Sequence, residues 1–301
     1  MRGDDMLLRA LLVTAVAALT PASVAVPAVP PQPPPNAALP WAAPLETSCA
    51  QGDTRCVDRV VAAQRALTLR LGCKHRAAFA ATYWRLTTFM RDAIAEPRFF
   101  DRPRRIAHED VEFDEEYRRQ TRAWERGDLA NVTPDYRAVF AANDAGVLTA
   151  QADQLATIAA HVLGDMPSKA LEQPRSIMRR RVDTLPFGKP DHDKVNLVLQ
   201  QATLPITEFI AAHYDPRVDD NPEFAEQLTL LLFQWRELAW RNAEELRFIR
   251  VASGTGLLYR AKLDEIRAEA LAVVQAIIAS GHDTPAGRAM RDAYCARNRP
   301  T

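Results

Sequence analysis

The sequence lacks the short motifs that identify the common enzyme classes. Its 301 residues contain no glycine-rich phosphate-binding loop, no serine in a nucleophile elbow, no zinc-spaced set of cysteines and no His-Glu-x-x-His pair. These absences exclude an assignment by motif to the P-loop nucleotide hydrolases, the α/β-hydrolases or the zinc peptidases. Any chemistry must therefore come from residues that the fold brings together.

The chain also lacks an excess of charge of either sign. Lys+Arg and Asp+Glu each number 38, so the formal net charge is +0. A balanced surface gives no support to binding of nucleic acid or of an anionic membrane. We therefore predict no nucleic-acid partner, and we interpret local basic clusters such as Arg102 to Arg105 as solvated segments.

The only apolar run near the N-terminus is too short to span a bilayer. It extends from Ala10 to Leu19, about ten residues, and follows Arg9. Small residues at Ser23 and Ala25 suit a cleavage site, so we predict a signal peptide over residues 1–25, cleaved after Ala25. This predicts a secreted or periplasmic protein with no stable membrane span in the mature chain. An uncleaved signal anchor is the alternative, and a start at Met6 gives the cleaner leader.

A proline-rich stretch follows the predicted leader. Eight prolines lie between Val26 and Pro44. Such a run favours an extended polyproline II conformation and cannot form a packed helix. We predict a linker over residues 26–47 and a folded domain over residues 48–301. A docking peptide for a proline-recognition module is the alternative.

The four cysteines of the chain suit two disulfides in an exported protein. Apolar spacing predicts a helix from Asp53 to Leu71. At about 1.5 Å rise per residue, this helix separates Cys56 from Cys73 by roughly 25 Å, far beyond disulfide reach. We predict the pairs Cys49–Cys56 and Cys73–Cys295, the second tying the C-terminal helix to the N-terminal one.

Helical spacing of apolar residues continues through the rest of the chain. The central helix is predicted over Val147 to Leu163, with Gly164 and Pro167 marking its end. A short helix is predicted over Arg175 to Asp183, and Pro205 is predicted to kink a helix that follows. No strand pattern, internal repeat or sustained heptad is present. The fold prediction is a single-domain all-α bundle of about eight to ten helices.

His161 and Asp165 stand four residues apart at the end of the predicted central helix, so they share a helix face. The polar line continues through Thr157 and Gln154. A carboxylate beside an imidazole fixes its tautomer, which suits an acid/base pair or a metal site. A hydrogen-bonded His–Asp pair with a purely structural role is the alternative.

A second polar group opens a later helix. His192 and Asn196 are again four apart, preceded by Asp191 and accompanied by Asp193. Asp191 also has the chemistry of a helix N-cap. His192 has no such structural explanation, because a charged imidazole is disfavoured at a helix start.

Asn242 lies within the apolar stripe of a helix predicted over Glu223 to Val251. An unsatisfied buried amide costs about 1–3 kcal/mol, so His161, Asp165 and His192 are its candidate partners if these helices meet in the core. On an adjoining line at four-residue spacing, Arg236, Trp240 and Glu244 suggest either ligand contacts or an intrahelical ion pair over an indole. Tyr83, on the second predicted helix, completes the candidates for ligand binding, which are Tyr83, Asn196, Trp240, Asn242 and Glu244. His75, His108 and His282 are predicted to be surface or cap residues.

Several of these segments together resemble a bacterial all-helical family of unknown function, the family numbered 5995. The resemblance covers roughly Arg76 to Ile249. It is carried, in order, by Phe99-Phe100-Asp101, Asp110-Val111 with Phe113 and Tyr117, Ala160-His161 with Asp165-Met166-Pro167, Asp191-His192 with Val195-Asn196, and Trp235 with Ala239 to Glu244. Members typically have Asn-Ala-His where this chain has Ala159-Ala160-His161, and a larger polar residue where it has Gly164. The resemblance supports the choice of residues and implies no reaction.

Two hypotheses of function follow. In the first, the chain is an exported binding or interaction module for a small molecule or a protein, with a buried His/Asp/Asn cluster. In the alternative, it is a metal-assisted hydrolase of esters or phosphoesters. His161, Asp165, Asp191 and His192 would then hold a divalent metal such as zinc, and His161, Asp165 and His192 are the catalytic candidates.

Overall fold

The computed structural model describes residues 55–172 and 188–301. The predicted signal peptide, the proline-rich linker, Cys49 and the short helix predicted over Arg175 to Asp183 lie outside the described residues. Within them, the elements in chain order are α1 Arg55–Leu71, α2 Ala77–Ala95, α3 Pro103–Glu125, a 3₁₀ turn Leu129–Asn131, α4 Pro134–Ala145, α5 Ala150–Ala159, a π-helix Ala160–Glu172, α6 Lys189–His213, α7 Pro222–Ser253, α8 Leu257–Ser280 and α9 Pro285–Asn298.

The all-α prediction is confirmed. The described ranges contain no strand, and strand-like pairing is limited to one isolated bridge between Leu148 and His282. None of the helices in these ranges combines the length and the apolar character needed to cross a membrane.

Local sequence explains most helix boundaries. Thr149, Asn221 and Thr284 each accept a backbone N–H with the side chain at the start of α5, α7 and α9. Gly146 ends α4 with φ of 62°, a left-handed conformation that favours glycine.

The predicted end of the central helix is wrong. The chain does not stop at Gly164 and Pro167 but continues as a π-helix to Glu172, with hydrogen bonds that run from i to i+5. This element packs against α3, α4, α5, α7 and α8. Burial on several sides supplies the stabilisation that local propensity does not.

The C-terminal helix is tied to the opposite end of the chain. Cys73, after α1, and Cys295, on α9, form the predicted disulfide, with Cα atoms 5.8 Å apart. Arg291 on α9 also donates to Asp153 at 2.5 Å and approaches Nδ1 of His75 at 2.8 Å. His75 was predicted to be a surface or cap residue, and this prediction is wrong, because the contact with Arg291 buries it. His108 is buried as well. The pair Cys49–Cys56 stays a prediction.

Candidate functional site

A cavity of about 160 Å³ lies among the helices that carry the candidate residues. Its wall comes from α2, α3, α5, the π-helix, α6 and α7, and most of it is apolar, with residues such as Met90, Ile106, Met166, Leu199 and Leu228. For comparison, an apolar cavity of about 150 Å³ in another protein stays dry and binds benzene. The space is therefore sufficient for a small organic molecule.

His161 reaches this cavity from the π-helix and is held on its far side by hydrogen bonds. Its Nδ1 lies 3.2 Å from Oδ2 of Asp165 and 3.0 Å from the hydroxyl of Tyr136 on α4. The same hydroxyl donates to Oδ2 of Asp165 at 2.8 Å. The two predicted residues are thus joined through Tyr136, a partner that the sequence did not reveal.

Arg267, on α8, completes the charge balance behind His161. It donates to Oδ1 of Asp165 at 2.6 Å and to Oδ2 of Asp135 at 3.0 Å. Asp135, Tyr136, Asp165 and Arg267 are called the anchor cluster below. Burial alone would raise the pKa of Asp165, but the charge of Arg267 and the hydrogen bond with His161 hold it below its usual range. Asp165 is therefore a carboxylate at neutral pH.

Gly164 makes room for the anchor cluster. A Cβ at this position would lie 2.5 Å from Nη1 of Arg267 and 2.5 Å from Oδ2 of Asp135. The glycine that suggested a helix end in the sequence instead allows a guanidinium and a carboxylate to cross the π-helix closely.

Aromatic rings surround the imidazole of His161. Phe113 stacks on it with ring centroids 3.5 Å apart and an interplanar angle of 6°. Tyr83, Tyr117 and Phe79 meet it edge-on, with centroids 5.0, 5.8 and 5.9 Å away. This packing leaves the ring no room to turn and removes water from it.

The hydrogen bonds determine which nitrogen of His161 carries the proton. Asp165 is ionised and can only accept, so we assign the proton to Nδ1. Burial lowers the pKa of His161, against the opposing effect of Asp165, so the ring is neutral. Nε2 is then a bare acceptor on the cavity side.

Four polar atoms of cavity-lining residues are buried without a partner among residues 55–172 and 188–301. They are the Tyr83 hydroxyl, Oδ2 of Asp110, Nε2 of His161 and Nε2 of His192. Burial, and then the charge of Asp114, raises the pKa of Asp110 well above its usual value, which favours the protonated carboxyl. Native proteins satisfy most buried polar atoms, so this group of four makes the cavity the candidate binding site.

His192 approaches the cavity from α6. His192 forms no hydrogen bond with Asn196, four residues later, among the described residues. Instead, Arg236 of α7 contacts both side chains. Nε of Arg236 donates to Oδ1 of Asn196 at 2.9 Å, and Nη2 lies 3.1 Å from Nδ1 of His192. Trp240 packs on the His192 ring with centroids 4.8 Å apart.

The carboxylates predicted as metal ligands have other partners. Asp165 binds Arg267, and Asp191 accepts the backbone N–H groups of Asp101 at 2.7 Å and Arg102 at 2.9 Å. Asp191 is therefore not the N-cap of its own helix, which begins at Lys189, and it holds the two residues that precede α3. In the part of the chain that the structure describes, no group of three or more His, Cys, Asp or Glu side chains is placed to hold a metal ion.

The candidate residues on α7 do not all lie at the cavity. Arg236 lines the cavity, so the suggested intrahelical ion pair with Glu244 does not form, and Glu244 is exposed. Asn242 is buried but forms no hydrogen bond with His161, Asp165 or His192 among the described residues. Asn242 is also not among the residues that line the cavity, so the candidate partners do not converge on it.

Sequence reasoning missed the anchor residues Asp135, Tyr136 and Arg267. Their helices carry no motif, and Arg267 lies 132 residues after Asp135 in the chain. Gly164 was the one available signal, since a glycine inside a helical segment often marks a close approach by another group.

Comparison with known proteins yields one match. A model of the family DUF5995, described as a family of unknown function, matches residues 57–280. No curated protein and no solved structure matches. The match spans every element that lines the cavity.

Proposed function

The chain belongs to the DUF5995 family, and we propose that it binds a small, mainly apolar molecule in the cavity between α2, α3, α5, the π-helix, α6 and α7. The observation that carries this proposal is the combination of an apolar wall with four partnerless buried polar atoms. Binding sites for small molecules typically have this composition, a mostly apolar surface with a few placed polar groups.

The location of the polar atoms supports a ligand over a purely structural cluster. A structural network satisfies its own members, because each unpaired buried group costs about 1–3 kcal/mol. Nδ1 of His161 has partners in the anchor cluster, Asp165 and Tyr136, whereas Oδ1 of Asp135 in the same cluster has none in the described ranges. Nε2, the other nitrogen of the His161 ring, has no partner in the described ranges.

Titration calorimetry with toluene tests the proposal. We expect saturable binding with a dissociation constant of about 1 mM or lower, because a mainly apolar cavity of this size can hold one aromatic ring. Ala202→Phe, which places a ring in the cavity from α6, should abolish it. Ala252→Phe, at an exposed position of α7, is the matched control. Absence of binding to the wild type, or equal binding by the Ala202 variant, would refute the proposal.

Hydrolysis of an ester by general-base catalysis is the second candidate, favoured by the Asp165–His161 geometry. A neutral imidazole held at Nδ1 by a carboxylate presents Nε2 as a proton acceptor. Water in the cavity would lose its proton to Nε2 as its oxygen attacks the ester carbonyl, and the imidazolium would return that proton to the leaving alkoxide. His161→Gln should lower hydrolysis of p-nitrophenyl acetate by about 10²-fold or more. A wild-type rate equal to that of His161→Gln, or to that in buffer alone, would eliminate this candidate.

A further inference from the structure

Arg236 differs from the other deeply buried cations of the described chain. Arg76, Arg118, Arg291 and Lys262 are equally buried, and each has a carboxylate oxygen within 2.8 Å. Arg236 has none within 4 Å among residues 55–172 and 188–301. Buried charges in proteins are paired, so this exception requires an explanation.

The partners of Arg236 are all neutral. It donates to the amide oxygen of Asn196 at 2.9 Å and to the backbone carbonyl of His192 at 2.6 Å, and it contacts the imidazole of His192. These contacts orient the guanidinium but supply no negative charge. Burial lowers the pKa of Arg236 to about 10, although the more distant charges of Glu109, Glu237 and Asp193 act in the opposite direction.

One nitrogen of the Arg236 guanidinium has no hydrogen-bond acceptor among the described residues. Nε and Nη2 are used, whereas Nη1 has no acceptor in the described ranges, and Arg236 lines the cavity. A guanidinium held by two of its nitrogens therefore keeps Nη1 as an unused donor in a residue that lines the cavity.

His192 adds a second donor beside it. Arg236 can only donate, so Nδ1 of His192 must accept, and the proton lies on Nε2. Burial, and then the charge of Arg236, lowers the pKa of His192 well below its usual value, so the ring is neutral. Its partnerless Nε2–H is thus a hydrogen-bond donor, the opposite of the bare Nε2 on His161.

We infer that the cavity binds the anion of a small apolar carboxylic acid, with its carboxylate on Arg236 and His192 and its hydrocarbon tail against the apolar wall. A single monovalent carboxylate neutralises the single unpaired guanidinium and accepts from both donors. This inference rests on the proposed function, because it names the class of ligand for the same cavity.

The acidic residues on the same wall do not take the place of this ligand. Glu109 lies against Arg105, with which it forms a short ion pair. Burial raises the pKa of Glu109 to about 7 and that of Asp110 well above its usual value, so both disfavour the ionised form. A neutral ligand would leave Arg236 uncompensated, and an ammonium ligand would be repelled by it.

Calorimetry with octanoate, 1-octanol and octylamine, which share one tail, tests the head group. We expect the wild type to bind octanoate at least tenfold more tightly than octanol, and octylamine most weakly. Arg236→Met should abolish the preference for octanoate while keeping octanol binding, and Arg236→Lys should retain part of the preference. Arg260→Met, at an exposed position of α8, is the control and should behave as the wild type.

The outcomes separate this inference from the proposed function. Equal binding of octanoate and octanol, or equal losses in Arg236→Met, would overturn the inference and leave the binding cavity intact. Absence of binding by all three probes and by toluene would overturn both.

A measurement on the wild type alone avoids dependence on the folding of a variant. Octanoate labelled with ¹³C at the carboxyl carbon reports its own titration. Beside Arg236 the bound acid should titrate at a lower pH than free octanoate, because the guanidinium favours the ionised form. A bound acid that titrates at the same or a higher pH would overturn the inference.

Discussion

Arg267 on α8 and Arg236 on α7 are both largely removed from water, but their surroundings are opposite. Arg267 donates to two carboxylates, Asp165 and Asp135. Burial would lower its pKa, but these charges raise it above its usual range. Arg236 meets only neutral acceptors, and burial lowers its pKa to about 10. One cation is compensated by the protein and the other is not.

The contrast distinguishes the anchor cluster, which supports His161, from the residues that line the cavity. The compensated arginine lies behind His161, where it fixes Asp165 and through it the imidazole. The arginine without a carboxylate partner lies on the cavity wall, together with four of the buried polar atoms that lack a partner in the described ranges. Functional sites commonly keep such strain at a cost in stability. Changes in the anchor cluster should therefore affect stability, and changes on the wall should affect binding.

The largest difference is expected from removing each arginine. Arg267→Met leaves Asp165 and Asp135 buried without a cation, which should cost about 3–5 kcal/mol of unfolding free energy. Arg236→Met should stay within about 1 kcal/mol of the wild type, because relief of an unpaired charge offsets the lost hydrogen bonds. Urea denaturation of both variants measures the difference. Equal losses would break the comparison.

The wall carboxyls should also make stability depend on pH. The pKa of Glu109 rises from 4.5 to about 7 on burial, so the folded state binds this proton more tightly than the unfolded state. Its contribution is complete below pH 4.5 and is lost as the pH rises through about 7, at most about 3 kcal/mol. Asp165, with its lowered pKa, makes no such contribution in this window. As the pH rises from 4.5 to about 7, the unfolding free energy should fall for the wild type and fall less for Glu109→Gln.

Two tyrosines offer a matched pair with a smaller effect. The Tyr136 hydroxyl donates to ionised Asp165, so Tyr136→Phe should cost about 1.5–3 kcal/mol. The Tyr83 hydroxyl has no partner in the described ranges, so Tyr83→Phe should leave stability unchanged or slightly higher. The two melting curves give the result, and a large loss in Tyr83→Phe would show that its hydroxyl is satisfied in solution.

The smallest effect concerns the space over the π-helix. Gly164→Ala places a Cβ against Arg267 and Asp135, and we expect a loss of about 1–3 kcal/mol as they shift. Gly256→Ala is the control, because its Cβ would meet nothing closer than 3.9 Å. Denaturation curves that coincide for the two variants would show that the anchor cluster has more freedom than its contacts suggest.

Much of the helical fold was predictable from local patterns. Apolar periodicity predicted the helical segments, because this signal acts within a few residues. The exception was the π-helix. Gly164 and Pro167 are local stop signals, but burial against five other helices outweighed them.

The site was predictable only in its most conspicuous members. His161, Asp165, His192 and Asn196 attracted attention by their four-residue spacing. That spacing suggested two similar pairs, whereas only His161 contacts its own partner. Arg236 separates His192 from Asn196, and Asn242 does not line the cavity. A helix face indicates which residues are neighbours along one helix, and it contains no information about the side chain that another helix inserts between them.

The sequence by itself determined the helical class, the long-range disulfide Cys73–Cys295 and the segments that carry chemistry, because periodicity, reach and residue type are local properties. Only the tertiary structure decided the charge balance of the two buried arginines. Asp135, Asp165 and Arg267 come from three separate elements, and Arg236 lacks a carboxylate because no other helix brings one to it. Electrostatic compensation in a low dielectric depends on distances between elements, and those distances exist only in the folded chain.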